Sequence, residues 1–139
     1  MKYEKESEIL VVVRGFEAGT IARADWRHAE HLTVALYYIF HHDYETARVK
    51  MRDGILNLLK AFEVDFSKEM PYHETLTFFW LKTVADYAES HPNDSLVEIR
   101  NALVENFDKD HPLKFYSREF LFSEQARANN LKADLVSEN

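Results

Sequence analysis

Histidine carries most of the chemistry open to this chain, because none of its 139 residues is cysteine. Any bound metal must then sit on imidazole and carboxylate groups, and no thiolate can serve as a nucleophile. His28 and His31 stand three apart. On a helix that spacing puts their Cβ atoms about 5–6 Å apart, so both rings can approach one ion or one small molecule. His73, between Tyr72 and Glu74, could add a third imidazole from a neighbouring helix, and Glu74 or Glu30 a carboxylate. Such a donor set suits zinc, iron or nickel better than calcium or magnesium, which prefer all-oxygen sites. The competing reading is that each histidine satisfies hydrogen bonds beneath a helix end.

The spacing excludes two familiar metal chemistries. His28-Ala29-Glu30-His31 is not the zinc-protease pattern, which sets its histidines four apart with glutamate beside the first. The paired Glu-x-x-His motifs of di-iron bundles are also missing.

The elements that must position these residues read as helices. Only three glycines and three prolines occur, too few for the frequent tight turns of a β-sandwich or barrel. Residues Ser7 to Ala18 contain the β-branched run Ile9 to Val13, which would suit a strand. No partner strand is apparent, and Gly19-Thr20 reads as a helix stop, so helix is expected. A second helix is expected from Asp25, as N-cap, to His41. At ~100° per residue His28, His31, Leu32, Ala35, Leu36 and Ile39 share an arc of roughly 140°. A third, from Asp43 to Phe62, carries Tyr44, Ala47, Met51, Ile55, Leu58, Leu59 and Phe62 on one stripe. Arg48 also falls within it and needs an acidic partner or an anionic ligand. Gly54 at its edge suggests a close helix approach.

A fourth helix is expected from Pro71, a first-turn residue, to Ser90, with His73, Leu76, Thr77, Trp80, Val84 and Tyr87 facing inward. A fifth starts at Asp94 or Ser95 and turns Leu96, Ile99, Leu103 and Phe107 to the core. The aromatic cluster Phe115, Tyr116, Phe120 and Phe122 follows, and Ser123 can cap a last short helix to Ala128. The expected fold is therefore all-α, one domain over residues 1–139, a compact bundle of five to six helices with up-down connectivity. Short connections make successive helices antiparallel, so the starts of the Asp25 and Pro71 helices should meet at one end. That would bring His28, His31 and His73 together.

Trp26-Arg27-His28-Ala29-Glu30-His31-Leu32 and Tyr72-His73-Glu74-Thr75-Leu76-Thr77 resemble a family of small, uncharacterised bacterial helical proteins. Its motifs are Trp-Thr-His-x-x-His-Leu and Tyr-His-Glu-Thr-x-Thr, with a Phe-Glu element before them and a Tyr-Ser segment near the C-terminus. Phe16-Glu17 and Tyr116-Ser117 correspond to the last two. The resemblance spans most of the chain and implies the same choice of site, with Tyr116 closing it, but no substrate. Arg27 stands where the family has threonine, so no hydroxyl role carries over there.

Charge narrows the partners. The net charge of -7 and the scattered lysines and arginines disfavour a nucleic-acid backbone. The longest apolar run, Leu32 to Phe40, is far short of the roughly 20 residues of a membrane span, and no signal peptide is evident. A soluble cytoplasmic protein is expected, with a homodimer left open.

The leading functional expectation is a small-molecule site, metal-centred, at one end of the bundle. His28, His31, His73 and Glu74 would act as catalytic groups, the three histidines as ligands of a zinc, iron or nickel ion. Trp26, Arg48, Thr77, Trp80 and Tyr116 would contact the ligand. Enzyme and ligand sensor fit equally. The alternative is a non-catalytic module that docks a protein partner through its acidic surface or an exposed aromatic patch, its histidines being structural.

Overall fold

The computed structural model describes residues 2–135. It is all-helical, with five helices of at least eleven residues and two of a single turn among the described residues. α1 covers Glu6–Ala18, α2 His28–His41, α3 Tyr44–Ala61, α4 Glu74–Ser90 and α5 Leu96–Asn106. The short α6 (Arg118–Leu121) and α7 (Glu124–Ala128) follow. Among the described residues no helix is long and apolar enough to cross a membrane.

The β-branched run at the start of the chain is helical because its apolar residues also match a helical period. Ile9, Val13 and Phe16 are buried while Val11 points out, 69% exposed. The Glu8 carboxylate accepts the N–H groups of Glu4 and Lys5 at the N-terminus, and Gly19 ends the helix in the left-handed region at φ 69°, where glycine carries no Cβ penalty. The close approach expected at Gly54 is real: a Cβ there would lie 2.3 Å from Phe16 Cε2. α1 and α3 therefore pack with bare backbone against an aromatic ring.

α2 is the central element, touching α1, α3, α4 and α5 and packing most closely with α4. Its burial exceeds a single stripe: Thr33, Val34 and Tyr38 are covered as well as Leu32, Ala35 and Leu36, as a helix surrounded on several sides requires. Thr33 Oγ1 donates to the Ala29 carbonyl at 2.7 Å and accepts from Arg100 Nε at 3.0 Å. Arg100, 2% exposed, also lays its guanidinium 3.5 Å over the Tyr3 ring. The apolar spacing of α5 did not single it out.

Helix starts correct the sequence reading in two places, and one exposed residue in a third. Asp25 lies in a 3-10 turn, Arg23–Asp25, and α2 begins only at His28. There Glu30 caps the helix by accepting the Arg27 N–H at 3.1 Å. α4 begins at Glu74, leaving Pro71 outside. Tyr44, expected inward, is 40% exposed. Asp43, Ser95 and Ser123 do cap α3, α5 and α7, each accepting the backbone N–H of the third helical residue.

Candidate functional site

The starts of α2 and α4 line one cavity of about 330 Å³. Trp26 and His31 come from the α2 side, and His73, Leu76, Thr77 and Trp80 from the α4 side. Ile55 and Leu59 of α3, with Phe62 at its end, close the apolar wall, and Arg23, Pro71 and Tyr72 complete the lining. Trp80 is 4% exposed. The indole of Trp26 stacks on the His31 ring at 5.9 Å and 17° and on Phe16 at 5.1 Å. Arg23 Nη2 meets Glu69 Oε1 at 2.9 Å, both side chains being about half exposed.

Within this aromatic cavity His31 is the anomalous group. Its Nε2 is buried and has no hydrogen-bond partner among the described residues. Burial, and next the charge of nearby His28, push its pKa down to about 4, so the ring is neutral at physiological pH. A buried nitrogen left unpaired costs about 1–3 kcal/mol.

The other two histidines are already committed. His28 Nε2–H donates to the Phe107 carbonyl at 2.7 Å, and its ring leans on Trp80 at 4.6 Å. His73 is the N-cap of α4: Nδ1 accepts the Leu76 N–H at 3.1 Å, and Nε2–H donates to the Leu121 carbonyl at 2.6 Å. A carbonyl can only accept, so both rings carry their proton on Nε2 when neutral. Burial lowers the pKa of His73, and the bond to Leu121 partly offsets it. Among the described residues no three histidine, aspartate or glutamate side chains come together in a way that could hold a metal ion. His31 and His73 share the cavity, while His28 stands behind its Trp80 wall.

The second histidine motif has a use for every polar residue. Tyr72 O–H donates to Glu74 Oε1 at 2.6 Å, and burial followed by this bond raises the tyrosine pKa. Glu74 Oε2 also faces Arg52 Nη1 at 3.5 Å. Thr77 Oγ1 donates to the His73 carbonyl at 2.8 Å, reinforcing the first turn. Thr75 Oγ1 donates to the Asn129 carbonyl at 2.5 Å and accepts the Leu131 N–H at 3.0 Å. Tyr116 and Ser117 serve the same C-terminal segment: Tyr116 O–H reaches the Leu131 carbonyl at 2.6 Å, and Ser117 binds Asp134 through N–H and Oγ.

No family model matches the chain, and neither a curated protein nor a solved structure matches it.

Of the residues singled out by sequence, Trp26, His31, His73, Thr77 and Trp80 share the cavity. Glu74 lies beside it with Arg52 and Arg127 around another hollow, and Tyr116 lines a separate cleft. Arg48 stacks over Phe78 at 4.6 Å. Sequence reasoning missed Tyr72 and the α3 wall as site residues. The wall was legible, since Ile55, Leu59 and Phe62 follow an i, i+4, i+7 spacing, but as core stripe rather than cavity.

Proposed function

We propose that the protein binds a small, largely apolar ring compound at the end of the bundle where α2 and α4 begin, with the one polar group of that compound bonded to His31. The observation that carries this reading is the buried, partnerless Nε2 of His31 in an aromatic-lined cavity. A ligand that supplies the missing hydrogen bond gains the interaction and relieves the penalty of an unpaired buried nitrogen. The flat indoles of Trp26 and Trp80 suit a ring-shaped body.

With a pKa near 4 His31 is a poor match for a general base, which works best near the operating pH. Binding or sensing is therefore favoured over acid–base catalysis. Coordination of zinc, iron or nickel by all three histidines would require His28 and His73 to release the carbonyls of Phe107 and Leu121. The ligand we propose is accordingly organic. We place this binding in the cytoplasm, to which a cysteine-free chain is suited.

Titration of isotope-labelled protein with indole and with toluene tests the reading. Indole, which carries an N–H, should give saturable shifts of the Trp26 and Trp80 side-chain signals, and His31→Phe should abolish them. Toluene should bind more weakly. No saturable shift with indole, or binding unchanged in His31→Phe, would overturn it.

A further inference from the structure

We infer that the ion pair between Arg23 and Glu69 is a clasp over the mouth of the His31 cavity, one that opens to admit a ring compound and closes behind it. The clasp presupposes the binding proposed above and adds the route by which the ligand enters. The groups a ligand must reach are shut away, since His31 Nε2 is buried and Trp80 is 4% exposed. Arg23 lines the same cavity, yet its side chain is 56% exposed. A residue that faces both the cavity and solvent stands at the rim. There its Nη2 donates to Glu69 Oε1 at 2.9 Å, and the Glu69 side chain, 52% exposed, lies at the surface as well.

The pair joins two stretches of chain 46 positions apart. Arg23 belongs to the 3-10 turn that leads to Trp26 and α2. Glu69 belongs to the connection between α3 and α4, which supplies Phe62, Pro71, Tyr72 and His73 to the cavity. That connection starts at a strained residue: Glu63, at φ 61°, is the one non-glycine residue with positive φ among the described residues. The Val64 N–H donates to the Leu59 carbonyl and the Glu63 N–H to the Lys60 carbonyl, a helix ending whose left-handed position glycine fills without steric cost.

Asp65 braces the middle of the connection, its carboxylate accepting Ser67 N–H and Oγ–H and its carbonyl the N–H groups of Lys68 and Glu69, so residues 65–69 move as a unit. A strained start and a half-exposed pair at the far end make this unit easy to displace. Val64 and Phe66, packed against the core, return it to one closed position. An exposed pair of this kind is weak, which suits a clasp that must open often. Indole carries no charge, and the clasp is closed both before and after it binds. The pair therefore slows entry and exit alike and leaves the affinity unchanged.

Rates of indole exchange, taken from NMR line shapes, test the clasp. Glu69→Gln should raise the association and dissociation rate constants together, by about two- to fivefold, with Kd unchanged. Arg23→Glu combined with Glu69→Arg rebuilds the pair in reverse and should return both rates toward those of the parent. High salt should speed exchange in the parent and not in Glu69→Gln, because only the parent has a pair to screen. A readout without ligand separates the clasp from the binding it serves. In a Trp26→Phe background, where Trp80 is the sole tryptophan, acrylamide should quench Trp80 more strongly, by a similar factor, once Glu69→Gln is added. Should indole not bind at all, the His31 reading falls and the quenching still decides the clasp. The clasp is refuted if Glu69→Gln leaves the quenching unchanged, if Kd changes in place of the two rates, or if the reversed pair exchanges indole as fast as Glu69→Gln.

Discussion

Replacing His31 by phenylalanine should flatten the acid side of the stability profile. The substitution keeps a ring against Trp26, now 5.9 Å away, and removes the titrating group. In the folded chain His31 is held at about 4, whereas an unfolded chain protonates histidine near about 6.5. The folded state thus binds fewer protons. Stability is full above about pH 6.5, falls as the unfolded state alone takes up a proton, and levels off near pH 4. These two values give a loss of about 2 kcal/mol at pH 5 and about 3 kcal/mol at pH 4, relative to pH 7.5. With a urea slope of about 2 kcal/mol per molar for a chain of this size, the unfolding midpoint of the parent should drop about 1 M further than that of His31→Phe between pH 7.5 and 5. Groups common to both proteins cancel in that difference. Equal drops in the two proteins, or an NMR titration of His31 centred near 6.5, would refute the argument.

Trp80→Ala should cost about 3–5 kcal/mol in urea unfolding at pH 7.5, because the indole is a wall shared by the cavity and His28; a loss below about 1 kcal/mol would mean that the site collapses readily around the gap. Gly54→Ala should destabilise by about 1–3 kcal/mol, since Phe16, 1% exposed, cannot withdraw from the added methyl. A raised melting temperature would show that the gain in helix propensity, about 1 kcal/mol, wins instead.

Features set by local chain chemistry were legible in the sequence. The Gly19 stop, the Asp43, Ser95 and Ser123 caps and the Gly54 contact follow from rules that act over a few residues or one helix face. Helix order combined with spacing led to the expectation that His28, His31 and His73 meet; His31 and His73 line one cavity, and His28 lies behind its Trp80 wall. What could not be read was how each polar atom is used. His73 caps its own helix, a task usually given to serine, threonine, aspartate or asparagine, so Pro71 looked like the better start. The partners of His28, His73 and Thr75 are backbone groups of Phe107, Leu121, Asn129 and Leu131, 48 to 79 residues away. A backbone carbonyl leaves no mark in a side-chain pattern. Tyr87, expected to be largely buried, is only half-buried and stacks at 4.0 Å on His91 at the end of α4.

The bonds from Thr75, Tyr116 and Ser117 to residues 129–134 also order events during synthesis. A nascent chain leaves the ribosome N-terminus first, and this segment emerges after every helix it fastens. α1 to α5 can therefore collapse around α2 while Thr75 still lacks the partners it will have. A chain broken off after Ala128 would retain the seven helices of the described residues yet lack Leu131 and Lys132, and with them one wall of the cleft that Tyr116 lines. Helix content would then be a poor gauge of finished protein, and the amide of Leu131 a better one.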